Sequence, residues 1–357
     1  MTQPPENHQQ PGGQSNAQPG QQAFRAPGDP LPQDLSAGWL PEDERQKPVS
    51  PLPQPKLFAY QSMLPPKVLH ALRHPSEIPW LVAAYAVTAV GYIVLFMALA
   101  DLFSSMMRYV FSSTGEGSVR VPSSGSTSAS LEDLIFQTVG LLILGPIAVF
   151  IVRAVYYAQQ RVHGVRITPT QFPEAYQMLA EAAEAAGLRR VPDAYVILGN
   201  GTMNAFAAGH GFRRYICLYS DLFEIGGKSR DPQALRFIIG HEVGHIAAGH
   251  VGYFRLIFTT LFNQTPVLSS ALSRSQEYTA DNFGYRFCPE GAEGAVKVLA
   301  AGKYLNKQVN FDELADRAVT DRGLAVWYVK LLARHPILTR PAHALRDRPQ
   351  PGRLFWR

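Results

Sequence analysis

The sequence predicts an α+β fold, mostly helical with a small sheet, set behind a two-helix transmembrane hairpin and a disordered N-terminal tail. Three observations predict it. Residues 1–55 are rich in Pro, Gln and Gly; 81–100 and 134–152 are long runs without charge; and 156–357 mix short β-rich runs with longer stretches of helical period. A length of 357 residues accommodates one domain with appendages, and a hydrophobic content of 46% supplies both a core and membrane spans.

The tail, placed at residues 1–76, has few aromatic or β-branched residues over most of its length and cannot bury enough apolar area to offset its chain entropy. Pro51-Leu52-Pro53-Gln54-Pro55 has the composition of a docking segment, a weaker reading than plain tail. The start lacks the basic stretch and apolar run of a signal peptide.

Residues 77–155 form the expected hairpin. The stretch 81–100 carries no charge over about the length that crosses a bilayer, and 134–152 has Gln137 as its only strongly polar residue. Two buried core helices are the alternative, disfavoured by that length and lack of charge. Pro79, Trp80, Tyr156 and Tyr157 sit where interface residues belong, in contact with membrane lipid. Between the spans, the Ser/Gly-rich stretch 101–133 reads as a flexible loop. Lys67 and Arg73 before the first span, with Arg153, Arg161 and Arg166 after the second, outweigh Arg108 and Arg120 between them. The tail and the C-terminal part are therefore expected in the cytoplasm, in a multi-pass protein of the cell membrane. The net charge of +5 is assigned to these flanks, because no basic cluster interleaved with aromatics suggests nucleic acid. Cys217 and Cys288 form no CxxC pair, so a disulfide framework is not expected.

Residues 156–357 hold the catalytic candidate. An amphipathic helix is expected over 172–187, ended by Gly187, followed by short strands at 193–198, 204–208 and 214–219. A helix over 235–250, LRFIIGHEVGHIAAGH, comes next, then a second helix around 273–281. Further helices are expected at 291–305, 311–318 and 323–333. Between the two central helices, 251–272 is apolar but broken by Arg255, Asn263, Gln264 and Pro266, which argues for a half-buried or interfacial segment over a full span. The end, Leu354-Phe355-Trp356-Arg357, reads equally as an interfacial contact or a surface aromatic pair.

His241-Glu242-Val243-Gly244-His245 carries the chemistry. Histidines at i and i+4 project from one helical face, so two imidazoles can grip one ion, and the glutamate between them can act as base toward a water on that ion. The motif is short, and an ordinary polar helix face is the bland reading. A hydrolytic zinc takes three protein ligands and leaves a position open. Glu277 can complete the set, and Asp281, one turn on, can accept the other ring N–H of a ligating histidine. Taken alone, these two acids read as a solvated helix face. Two rival ligands are weaker. His250 lies five residues after His245 and leans off the ligand face, and Cys217 lies in a run that reads as a buried strand.

Here the chain resembles the HtpX-like and type I CAAX prenyl endopeptidase family of membrane-bound zinc metallopeptidases. HEVGH, Asn204-Ala205-Phe206-Ala207, Glu277-Tyr278-Thr279-Ala280-Asp281 and His335-Pro336 match its motifs in order, over about residues 172–346. The resemblance implies a zincin-like (gluzincin) domain with one Zn²⁺ per chain, and a cytosolic protease domain. It also makes His335 a candidate catalytic donor to the oxyanion. The segment Asn204–Ala207 would pair with an extended substrate. One departure stands out. The family's arginine comes six residues after that histidine, whereas Arg340 comes at five, which weakens its assignment to substrate binding. The expected function is a membrane-anchored zinc endopeptidase acting on protein or peptide substrates, HtpX-like, in membrane protein quality control. A CAAX-type processing protease is the alternative, disfavoured because two spans cannot enclose a multi-helix chamber. A non-catalytic, zinc-stabilised membrane interaction protein is another, and it would have no need of Glu242.

Overall fold

The structure is a computed structural model and describes residues 60–113, 131–223, 231–348 and 352–354. Its elements run α1 (Pro66–Leu72), α2 (Glu77–Ser113), α3 (Leu131–His163), β1 (Val165–Arg166), α4 (Pro173–Ala185), β2 (Asp193–Ile197), β3 (Ala205–His210), β4 (Arg213–Tyr219), α5 (Pro232–Ala247), α6 (Tyr253–Phe258), α7 (Pro266–Phe287), α8 (Ala292–Leu305), α9 (Phe311–Thr320), α10 (Leu324–Leu332) and α11 (Thr339–Arg346).

The sheet has the order β1-β2-β4-β3, with β2 and β4 parallel and the outer pairs antiparallel. Alternation along β4 sets its two faces. Ile216 and Leu218 join the main core with Ala194 and Val196 of β2, while Tyr215 and Cys217 form a second cluster with Tyr195 and with Tyr157 of α3. Tyr157 also donates from its hydroxyl to Asp193 at 3.2 Å, so the end of α3 is fastened to the sheet. Strand β3 is left as an edge, and α5 packs beside it.

Helix α5 starts where Asp231 accepts a hydrogen bond from the Ala234 N–H and Pro232 occupies the first turn. It crosses α7 at unusually close range. A Cβ on Gly244 would lie 2.6 Å from Cβ of Phe283, and one on Gly284 would lie 3.1 Å from the Phe237 carbonyl oxygen. Only residues without a side chain allow this approach, and it brings the HEVGH turn against the Glu277 turn.

Two expectations change, and the half-buried reading of 251–272 is filled in. Residues 60–76 are folded. Tyr60 is buried, Ser62 donates to the Ala186 carbonyl at 2.7 Å, and Leu64, Leu69 and Leu72 pack on the core. These leucines are spaced for a helix but are diluted by the prolines before them. The stretch 101–133 is not wholly loop. Leu102, Phe103, Met106 and Met107 continue the helix-forming composition, so α2 runs to Ser113 and α3 begins at Leu131. The segment 251–272 resolves into α6, a 3₁₀ turn at Phe262–Gln264 and the first turns of α7. Phe262 is buried against Ala84 and Leu272, whereas Phe254 and Phe258 are exposed. The proline-rich stretch 51–55, the loop 123–130 and residues 355–357 lie outside the described residues. Among the described residues, one helix is long and apolar enough to cross a membrane, within α2 at Glu77–Ser105.

Candidate metal centre

Three side chains converge. His241 and His245 of α5 place their Nε2 atoms 3.2 Å apart, and the Glu277 carboxylate of α7 lies 3.7 Å from the first and 3.6 Å from the second. For metal–ligand bonds of about 2.0–2.1 Å, tetrahedral ligands stand about 3.3–3.4 Å apart. Two imidazoles and one carboxylate at these separations fit a divalent ion of the zinc type, with a side open to the cavity.

Each histidine is held from behind. Asp281 Oδ1 accepts from His241 Nδ1 at 2.9 Å, which leaves His241 Nε2 as the lone-pair nitrogen facing Glu277. His245 Nδ1 lies 2.8 Å from Nδ1 of His250. Burial draws His241 down, but Asp281 and Glu277 outweigh it and raise the ring well above the usual histidine range; a cation bound at Nε2 would take the place of the proton they favour. Burial is the largest influence on His245 and keeps it well below that range.

Glu242 is buried beside the ligands. Desolvation, reinforced by the charge of Glu277, pushes its carboxyl up to about 7, against the opposing pull of His241 and of the Ala207 backbone amide on the edge strand. Asn204, Ala205, Phe206 and Ala207 line the same cavity of about 440 Å³, together with Glu242 and His335. The Asn204 side chain accepts from the Ala205 N–H at 2.9 Å.

His335 stands exposed at the rim, its Nδ1 3.1 Å from Glu277 Oε2. The segment leading to it is fixed by Arg274, buried in α7, whose Nη1 donates to the carbonyls of Lys330, Leu331 and Ala333 at the end of α10. Arg340 is not brought to this cavity. Its Nη1 donates to the Arg353 carbonyl at 2.7 Å, and it does not line the pocket. The position six residues after His335 is Pro341, which does. One residue on a helix is about 100° of rotation, so the shift in spacing turns Arg340 away.

Cys217 is buried with its thiol pushed up to about 12 by desolvation and by the charge of Glu242, so it lacks the thiolate character of a ligand. His250 stays outside the His241–His245–Glu277 cluster, but it touches one member of it, which its sequence spacing does not reveal. The helix ends at Ala247, and Gly249 at φ +78° turns the chain back. The His250 N–H bonds to the His245 carbonyl at 2.9 Å and the Gly249 N–H to that of Ile246 at 3.0 Å. This is a Schellman closure, and it lays His250 over His245. The glycine one residue before His250 was the available signal.

The family model for peptidase family M48 matches residues 169–264 and 251–348, together just over half of the chain. Among curated proteins, the chain is 26% identical over 196 residues to "Metalloprotease YcaL" of Escherichia coli (strain K12), covering 49% of this chain and 70% of that one. No solved structure gives a significant match.

Proposed function

The chain belongs to peptidase family M48 and is a metallopeptidase, and we propose that it is a membrane-anchored zinc endopeptidase of the HtpX-like kind, cutting misfolded or membrane proteins at the cytoplasmic face. One observation carries the zinc chemistry: His241, His245 and Glu277 present three ligand atoms to one point, with Glu242 and the edge strand beside it. His241, His245 and Glu277 would hold a divalent ion, which would supply the lowered pKa of a bound water and the polarisation of the scissile carbonyl. Glu242 takes the proton of the attacking water and passes it to the leaving amine. Its burial, which keeps the carboxyl near 7, suits it to both halves of that transfer. His335 supplies a donor where negative charge develops on the carbonyl oxygen. An extended substrate lies along β3, whose outer edge opens on the cavity.

Purified protein should contain one zinc per chain and cleave casein. Glu242→Gln should keep the zinc and lose most of the activity, because an amide cannot accept the proton. Wild-type turnover in that variant would remove Glu242 from the mechanism.

Anchoring is supported by α2, whose Val90, Ile93, Val94, Phe96 and Met97 are exposed, and by the exposed Leu144, Ile147 and Ile151 of α3. Orientation follows from the flanking Lys and Arg. A cysteine introduced as Ser123→Cys should react with an impermeant thiol reagent in intact cells, and Asp321→Cys only after the membrane is opened. Labelling of Asp321→Cys but not Ser123→Cys in intact cells would reverse the orientation, and labelling of both would mean that the second span does not cross.

A further inference from the structure

The side chain of Glu77 is fully buried at the start of α2, the helix that is long and apolar enough to cross a membrane. Four groups converge on its carboxylate. Arg73 Nη1 at 2.6 Å, Arg255 Nη2 at 3.0 Å and His250 Nε2 at 3.1 Å approach Oε1, and the Thr279 hydroxyl donates to Oε2 at 2.6 Å. The mechanism above uses none of them. Yet His250 touches His245 with its other nitrogen, so an unbroken chain runs from the first turn of α2 through His250 to a metal ligand.

The geometry assigns Glu77 and His250 as positioning residues for His245, making the start of helix α2 part of the metal site. The inference rests on the reading of His245 as a metal ligand. The hydrogen positions follow from one requirement. His245 Nε2 faces His241 and Glu277, so it must offer its lone pair. Nδ1 then carries the hydrogen and donates to His250 Nδ1, which must accept. The remaining hydrogen of His250 therefore sits on Nε2 and donates to Glu77. Glu77 is an acceptor only, fixed by two guanidinium groups and a hydroxyl. Reverse any link and His245 would present N–H to the ion. His241 has a carboxylate directly behind it in Asp281, whereas His245 reaches its carboxylate through one more imidazole. The two ligands are thus fixed by different parts of the chain. Asp281 belongs to the helix that carries Glu277, and Glu77 belongs to the helix that leads into the membrane.

Arg73 strengthens the coupling. Its Nη2 donates to the Ala248 carbonyl at 2.8 Å, at the same helix end that turns His250 back, while its Nη1 holds Glu77. Docking of residues 73–77 and orientation of His245 are therefore a single event.

The test measures zinc affinity by chelator competition on the full chain in detergent, with the absorption spectrum of the cobalt-substituted protein as a second readout. His250→Ala should weaken zinc about 10–100-fold, the loss common for a partner behind a metal ligand. Glu77→Gln should weaken it by a similar factor. The double variant should be no weaker than His250→Ala alone, because Glu77 acts through His250. His250→Gln, whose amide oxygen can still accept from His245, should recover part of the loss and restore the cobalt spectrum. Affinity within twofold of wild type in folded His250→Ala, or losses that simply multiply in the double variant, would overturn the assignment. If Glu77→Gln does not fold, the contrast between His250→Ala and His250→Gln still decides. A wild-type chain that binds no zinc would instead defeat the proposed function.

Discussion

Gly244→Ala tests whether the crossing of α5 and α7 sets the metal geometry. The added methyl would sit 2.6 Å from Cβ of Phe283 and 3.2 Å from the Ala280 carbonyl oxygen. Carbon atoms pack at about 3.5–4.0 Å, so the helices must separate by about 1 Å. Overpacking of this kind costs about 1–3 kcal/mol. Replacing glycine by alanine inside a helix returns about 0.8–1 kcal/mol. The net loss of about 0–2 kcal/mol lowers Tm by no more than about 8 °C in a chain of this size.

The larger consequence falls on the site. Glu277 rides on α7, and its carboxylate now stands 3.6–3.7 Å from the two histidine nitrogens. Moving it out by about 1 Å exceeds the roughly 0.5 Å tolerance of a working site. Calorimetric unfolding and chelator competition on the same preparation separate the two effects. Zinc affinity should fall by an order of magnitude or more while Tm moves by a few degrees. A variant that binds zinc as tightly as wild type would show that the close crossing does not set the ligand geometry.

Two further outcomes are expected. Glu277→Ala should strip the metal under mild dialysis while Cys217→Ser retains it, as measured by elemental analysis; metal loss in Cys217→Ser would replace the ligand set. Below its pKa Glu242 is protonated and cannot accept a proton, so kcat/KM should fall with falling pH, with an acid limb at or below about 7, since a bound cation can only draw that value down; a rate that rises as pH drops below 7 would contradict the assignment.

The helix-borne part of the site was legible in the sequence because helical period converts spacing into direction. His241 and His245 at i and i+4, and Glu277 and Asp281 on a second helix, meet in the structure as that period requires. The rule fails where the helix stops. His250 was read as though α5 continued, when Gly249 ends it and reverses the chain. Arg340 was placed by a spacing one residue short, which a helix converts into another direction. Glu77 gave no signal at all, since an acid before an apolar run reads as a flank until the fold buries it. The two-residue β1 is too short for any periodicity, and α1 was hidden by the proline-rich composition around it.

The pairing of β3 also limits how a substrate can lie. The Tyr219 N–H bonds to the Asn204 carbonyl, so Asn204 faces β4 and alternation turns Ala205 and Ala207 outward along the edge. The Asn204 side chain already takes the outward N–H of Ala205, and the Ala207 amide lies close enough to the Glu242 carboxyl to draw its pKa down. What the edge offers an incoming strand at Ala205 is carbonyl oxygen. A peptide laid on β3 there must donate its own N–H groups, and a proline at the matching substrate residue has none to give. The arrangement also explains why an asparagine precedes the strand. Its carboxamide caps an edge N–H that would otherwise invite pairing by any strand. Glu242 stands beside the amide one pleat further on, so the carboxyl proposed as base also borders the edge on which a substrate would dock.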